Sequence, residues 1–438
     1  MTLVGRVRSR KYVRAVEQRA ELYSIALDEE GRRRAQLEAW NNEWRRLVRH
    51  VPYFKRLGRE RQLPLRFSSW QEFLDGMPVM TRATVQENRA EMASDERPPD
   101  LTMTTGGSTA EPVQVPVWDS EIAFTSYDIW LGRSWYGISP DSRLFLLWGH
   151  SHTLGSGLKG RLNAGRRKLF DRLLGYHRFS AYDLRETALR RAAGELIKFK
   201  PDYIVGYSMA LDLFARANAE LRDELRATGL KLVVGTAESF PSPDSVTLLE
   251  DVFACPVGME YGAVETRLIA HTRPAGGYSV FWQSYFVEAE RLRSSSTGLQ
   301  VRVTSLYPRC FPLVRYELGD EIELWDGAAN FATGIDSFKR VIGRCNDHVQ
   351  LPDGAIIHSE AFTHAVRACR NISGYQVVQA GARVNIDYTA QASLPEEQLA
   401  EIRSRLAKVH PQLGLVEINR VERLQQTMAG KTRMVIRN

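Results

Sequence analysis

The chain has 438 residues, with 59 Lys and Arg against 52 Asp and Glu for a net charge of +7, and is 43% hydrophobic and 25% charged. That balance excludes a disordered, collagen-like or repeat-biased chain and leaves room for two or three domains with a cleft between them. Four scattered cysteines, Cys255, Cys310, Cys345 and Cys369, form no CxxC pair, so neither a disulfide framework nor a thiolate zinc site is indicated. No stretch reaches the roughly 18 apolar residues of a membrane span, and residues 1–14 lack the apolar segment of a signal peptide. A soluble, cytoplasmic protein is expected.

Basic residues crowd the start: Arg6, Arg8, Arg10, Lys11 and Arg14, then Arg32, Arg33 and Arg34. Such runs usually form solvated helix faces, and as a surface they suit an acidic partner protein better than nucleic acid, because no stacking platform or groove-reading motif accompanies them. Over residues 38–51, Trp40, Trp44, Leu47 and Val51 recur at helical spacing, and Pro52 closes that helix.

The segment Leu101-Thr-Met-Thr-Thr-Gly-Gly-Ser-Thr-Ala-Glu-Pro112 is built like an anion cradle. Gly106 and Gly107 free backbone N–H groups for close approach to phosphate, and Thr105, Ser108 and Thr109 add hydroxyl donors. The lysine of a P-loop is missing, which excludes that nucleotide fold. Further on, residues 155–160 are expected to be a mobile loop. Between 200 and 262 short apolar runs alternate with helical stretches, the pattern of βαβ units and a parallel sheet whose ligands sit at the C-terminal strand ends.

Glu260-Tyr-Gly-Ala-Val-Glu265 offers an aromatic ring for a base, followed by a carboxylate for a metal. Arg315-Tyr-Glu-Leu-Gly-Asp320 sets an acid after a glycine turn, suited to a ribose diol. A composition shift near 340 marks a boundary, beyond which strands and two helices read as a small α+β unit. Gly343-Arg344-Cys345-Asn346-Asp347 opens that unit and Gly430-Lys431-Thr432-Arg433 nearly ends it. The fold class is therefore α/β: a large domain, 1–339, with mainly parallel sheets flanked by helices, plus a small C-terminal α+β domain, 340–438.

In order and spacing these segments, with Gly235-Thr236-Ala237-Glu238, resemble the adenylate-forming superfamily, specifically its phenylacetate-CoA ligase-like branch with the CapK-type proteins, over nearly the whole chain. The resemblance implies that Thr105, Gly106, Gly107, Ser108 and Thr109 hold the phosphates of ATP. It places Ala237 and Glu238 against adenine, with Tyr261 and Gly262 stacked beside it, and Asp320 on the ribose. Arg344 joins the nucleotide site, Asn346 marks a hinge about which the small domain rotates, and Thr236 borders the acid, with Trp148, His150 and His152 as candidate contacts with that small organic acid. Glu265 would bind Mg²⁺, and Lys431 would bridge the carboxylate and the α-phosphate. The phosphate loop departs from the family pattern at Ala110 and Glu111. Only His271 stands where many relatives carry a Cys/His cluster, so no zinc is expected.

The implied function is an ATP- and Mg²⁺-dependent ligase that adenylates a small, aromatic carboxylic acid and passes the acyl group to an acceptor, CoA by default. The alternatives are loading of a carrier protein, direct ester or amide formation in secondary-metabolite or capsular-polysaccharide biosynthesis, and, in another class, a non-catalytic nucleotide-binding scaffold. No nucleic acid partner is expected, and a homodimer stays open.

Overall fold

The computed structural model describes residues 3–24, 28–104, 114–148, 157–181, 186–237, 240, 244–291, 299–325, 334–344, 348–353, 356–366, 369, 372, 374–390, 392–425 and 435–437. Two helices, Leu3–Ser24 and Glu29–His50, open the chain. The second starts on Asp28, whose side chain accepts from Gly31 N, and its acidic first turn and basic last turn match the helix dipole. Its inner face buries Trp40, Trp44 and Leu47. Pro52 ends this helix and begins the next, Pro52–Glu60, at a position where a missing N–H leaves no bond unmade. Arg32 and Arg33, expected on a solvated face, instead both hold Asp336 at 2.7 Å.

The central sheet has eight strands. In spatial order they are Ser337–Phe338, Tyr278–Val280, Arg267–Thr272, Val257–Ala263, Leu232–Thr236, Tyr203–Tyr207, Leu144–Trp148 and Tyr176–Ser180. The strands from Val257–Ala263 onward are parallel, and the other three are antiparallel. The inner parallel strands Leu144–Trp148, Tyr203–Tyr207 and Leu232–Thr236 are nearly continuous apolar runs because both faces are covered, while the edge strand Tyr176–Ser180 carries His177 and Arg178. Phe145, Leu147, Ile204 and Val233 pack under the helices Glu186–Phe199, Ser208–Ala217 and Ser245–Phe253. Leu144, Tyr203, Val205, Leu232 and Val234 pack on the other side with Val16 and Trp130.

Strand order reverses once. From Leu144–Trp148 the chain adds Tyr176–Ser180 on one side, then crosses back to place Tyr203–Tyr207 on the other. Crossovers diverge at such a point and leave a crevice at the C-terminal strand ends, where ligands of open α/β sheets bind.

A second, antiparallel sheet joins Tyr285–Arg291, Leu299–Ser305, Tyr316–Glu323 and Arg340–Arg344. A third joins Glu417–Arg420, Arg383–Thr389, Gly374–Ala380 and Val435–Arg437, accompanied by the helices Ser359–Val366 and Glu396–Val409. The division into domains 1–339 and 340–438 remains a proposal, and the strand Arg340–Arg344 lies at its seam. Residues 157–160, expected to be part of a mobile loop, instead begin the helix Gly157–Leu174. Leu158, Leu162, Leu169 and Leu173 supply the helical spacing that the local glycines obscure. Among the described residues no helix is long and apolar enough to cross a membrane.

A buried ion pair fastens the N-terminal helix. Arg19 Nε lies 3.0 Å from Asp128 Oδ1 on the helix Asp119–Ser134, without the alignment of a hydrogen bond, and Ser284 Oγ donates to Asp128 Oδ2 at 2.6 Å. Burial pushes the Asp128 carboxyl up to about 7, against the opposing pull of Arg19 and Ser284. A carboxyl that holds its proton more tightly folded than unfolded loses stability as pH climbs from its ordinary 3.8 to about 7. Asp128→Asn removes that loss, so urea denaturation should show the variant gaining on the parent between about pH 4 and about pH 7. A pH-independent difference would show that Arg19 keeps the carboxylate charged throughout.

Candidate active site

Three strands of the parallel sheet deliver side chains to the crevice from their C-terminal ends. Trp148 and Tyr207, on either side of the strand-order reversal, face each other with ring centroids 4.2 Å apart at 36°. The next strand ends at Thr236, preceded by Gly235, where a Cβ would stand 2.6 Å from Met259 Sδ and 3.0 Å from Ser208 Oγ. Only glycine lets these strand ends approach so closely. Ala237 then turns with φ +72°, a left-handed conformation that costs an L-residue roughly 1 kcal/mol and that clusters at binding sites.

The neighbouring strand Val257–Ala263 carries Tyr261, whose buried ring meets Tyr278 and Phe338 edge-on. Its hydroxyl donates to Asp320 Oδ2 at 3.1 Å, so the expected adenine and ribose contacts are neighbours. Asp320 does not follow a turn, as expected, but sits in a bulge within the strand Tyr316–Glu323. Arg302 pairs with Glu317 and Gln300 with Glu321, leaving extra residues that Gly319 accommodates at φ +78°. Across the sheet Asp320 lies opposite Arg344, bringing a third expected nucleotide residue into register. Arg315, at the head of the same motif, is structural. Its buried guanidinium holds Glu288 at 2.8 Å and donates to the carbonyls of Leu74 and Met77.

Glu265 occupies the turn between Val257–Ala263 and Arg267–Thr272, and that turn is locked from several sides. Gly262 lies where the register shifts, and a Cβ there would come within 2.1 Å of the Arg267 carbonyl. Thr266 Oγ1 accepts from Ala263 N at 3.1 Å, and the Thr266 carbonyl accepts from the Tyr285 hydroxyl at 2.6 Å. Arg309 donates to the Glu265 carbonyl and pairs with Glu121 at 3.3 Å, both side chains shut off from water. The Glu265 carboxylate itself is half-buried and accepts from the Tyr316 hydroxyl at 3.4 Å. A fixed carboxylate with access to solvent is the hard oxygen donor that Mg²⁺ takes.

Thr105, Gly106, Gly107, Ser108, Thr109, His150, His152, Glu238, Asn346 and Lys431 lie outside the described residues. Their anchors are visible. Residues 105–113 connect the antiparallel strands Leu101–Thr104 and Gln114–Val117, and Arg267 Nη1 reaches Met103 Sδ, tying that hairpin to the Glu265 turn. Buried Gln376 donates to the Gln425 carbonyl and accepts from Gln425 N, both at 3.0 Å, while Val435 pairs with Val377. Residues 426–434, with Lys431 among them, are thus held at both ends. His271 is fully buried; its Nδ1 lies 2.9 Å from the Thr272 carbonyl and burial lowers its pKa. Among the described residues no group of three or more metal donors occurs.

No family model matches the chain. It is 23% identical over 316 residues to Protein CapK of Staphylococcus aureus, a match that covers 68% of this chain and 65%, hence less than two thirds, of that protein. A 2-hydroxyisobutyryl-CoA ligase in the postadenylation state, in complex with R3-HIB-AMP, superposes with a TM-score of 0.60 at 17% identity over 94% of this chain and 90% of that one. The same ligase with 2-HIB-AMP and CoA in the thioesterification state gives 0.60 at 18% over 94% and 91%. The chain has the adenylate-forming ligase fold.

Within that ligase fold, three side chains at the site escaped the sequence reading. Tyr207 sits inside a buried strand, and Glu121 and Arg309 act on residues far away in the chain, while Tyr316 was within a motif singled out but its contact with Glu265 was not foreseen. A run of apolar residues ending at Tyr207 opposite Trp148 was the one signal available. Arg309→Ala should destabilise the protein by about 3–5 kcal/mol in urea denaturation, because Glu121 is left charged in the interior. Gly262→Ala should cost about 1–3 kcal/mol, since the turn carrying Glu265 has to move aside. A near-neutral result for either would show that the turn is not built on these contacts.

Proposed function

We propose that the chain is an ATP-dependent, AMP-forming carboxylic acid ligase. The observation that carries this reading is the meeting of Tyr261 and Asp320 beside the Glu265 turn, at the edge of the strand-reversal crevice. The fold supports it, since the solved 2-hydroxyisobutyryl-CoA ligase that the chain superposes on is in complex with R3-HIB-AMP in one structure and with 2-HIB-AMP and CoA in another.

In this reading the acid lies in the crevice against Trp148, Tyr207 and Thr236, and the facing indole and phenol favour a small aromatic acid. Tyr261 positions adenine with Ala237 and Glu238, while the Asp320 carboxylate accepts from the ribose hydroxyls. Thr105, Gly106, Gly107, Ser108 and Thr109 cradle the phosphates, and Arg344 adds positive charge. Glu265 would hold Mg²⁺, which supplies charge neutralisation when bound. A carboxylate oxygen of the acid forms the bond to the α-phosphorus as the bond to the departing pyrophosphate breaks. Lys431 offsets the negative charge that gathers there. Asn346 is the hinge position for presenting an acceptor, with CoA the first to test because the solved 2-hydroxyisobutyryl-CoA ligase binds it.

The test is ATP–pyrophosphate exchange with benzoate, hydroxybenzoates, aminobenzoates, phenylacetate and short aliphatic acids, with Mg²⁺ and without CoA. We expect exchange with an aryl acid, loss of it in Lys431→Ala with ATP binding kept, and a rise of about 10- to 100-fold in the KM for ATP in Asp320→Ala. Silence with every acid in a protein that still binds ATP would turn the reading toward a nucleotide-binding scaffold. Exchange confined to aliphatic acids would remove the aromatic assignment alone.

A further inference from the structure

We propose that the helix Gly157–Leu174, with the N-terminal helix Leu3–Ser24 packed against it, is a docking surface for an anionic lipid bilayer. The proposal does not depend on the ligase reading.

Charge is the first argument. Gly157–Leu174 carries Lys159, Arg161, Arg166, Arg167, Lys168 and Arg172 against Asp171, a net +5. Leu3–Ser24 carries Arg6, Arg8, Arg10, Lys11 and Arg14 against Glu17 and Glu21, a net +3, with Arg19 set apart because it is buried against Asp128. Together they hold +8 where the whole chain has +7, so all remaining residues sum to −1. Asp171 is already engaged by Arg178 at 2.8 Å, and Arg167 is held below its ordinary pKa by burial and by Arg178. The positive field of this face is therefore not quenched by its own acid.

Exposed hydrocarbon is the second. Leu169 and Phe170 stand 60% and 57% exposed, next to the exposed Arg166, Lys168 and Arg172. Leu169 and Phe170 are neighbours on the helix, with Arg166, Lys168 and Arg172 within one turn of them. Basic side chains beside an exposed leucine and phenylalanine match the two layers of a bilayer surface, where headgroup charge and acyl chain are met by one helix lying flat. A second copy of the chain would set +8 against +8. The charges alone, read from the sequence, suit an acidic protein; the hydrocarbon among them moves the choice to lipid.

The experiment is co-sedimentation of the full chain with phosphatidylcholine vesicles, with and without about one-third phosphatidylglycerol, at low and high salt. The surface predicts binding to the anionic vesicles alone, weakened by salt. It further predicts a loss of about tenfold or more in the triple variant Arg166→Glu, Lys168→Glu, Arg172→Glu. A similar loss is expected separately in Leu169→Ser with Phe170→Ser. All five positions are exposed, so melting temperatures should stay at the parent value. No binding, equal binding to neutral vesicles, or parent-like binding by both variants would overturn the proposal. Retention of the parent on polyglutamate without vesicle binding would also overturn it and give the surface to an acidic protein.

Discussion

Arg309 and Glu121 meet where no water reaches either side chain, and between them they tie the turn carrying Glu265 to the start of the helix Asp119–Ser134 and the loop after Leu299–Ser305. Glu121 accepts from Trp118 N at 2.9 Å and Cys310 N at 2.7 Å, which starts the helix Asp119–Ser134 and fixes the loop after Leu299–Ser305. Arg309 adds Ser305 Oγ and the Glu265 carbonyl. Desolvating two charges is expensive, and such a pair persists only when its remaining hydrogen bonds are also made. Here they are made by backbone groups of different elements, so the pair fixes relative position more than it adds stability. The same helix reaches the strand of Tyr261 through Arg133, which pairs with Glu260 at 2.8 Å, one residue before Tyr261.

The strand Val257–Ala263 lies on the border between the parallel and antiparallel halves of the central sheet. A parallel neighbour contributes an open strand end, which is how Thr236 and Ala237 come alongside. An antiparallel neighbour contributes a tight turn, which is how Glu265 is presented. Neither half alone puts a strand-end crevice next to a rigid acidic turn. The chemistry proposed for the chain needs both, one for the acid and one for the phosphates.

Much of this was legible in the residues. The strands ending at Trp148, Tyr207 and Thr236 are nearly continuous apolar runs because both their faces are covered, and the helices between them keep a clear period. Tyr261, Asp320 and Glu265 stand in compact motifs and do come together. The antiparallel sheet from Tyr285 to Arg344 was harder to see because its strands carry charges inside. Arg315 faces Glu288, and Arg302 joins Glu290 and Glu317, so residues that suggest loops are in fact cross-strand pairs. The bulge at Gly319 was hidden for a related reason, since glycine before an acid looks like a turn until the partner strand is known. Arg309 was beyond reach from local pattern, its partner Glu121 lying 188 residues earlier.

The clamp of Gln376 on Gln425 and the pairing of Val435 with Val377 have a geometric meaning for the candidate lysine between them. Lys431 is four residues from Val435, and a chain spans at most roughly 3.5 Å per residue, so its Cα stays within about 14 Å of that strand. The lysine therefore has a leash. Whatever reaction the chain performs, the pairing of Val435 with Val377 sets the length of chain by which position 431 is tied to the sheet of Gly374–Ala380.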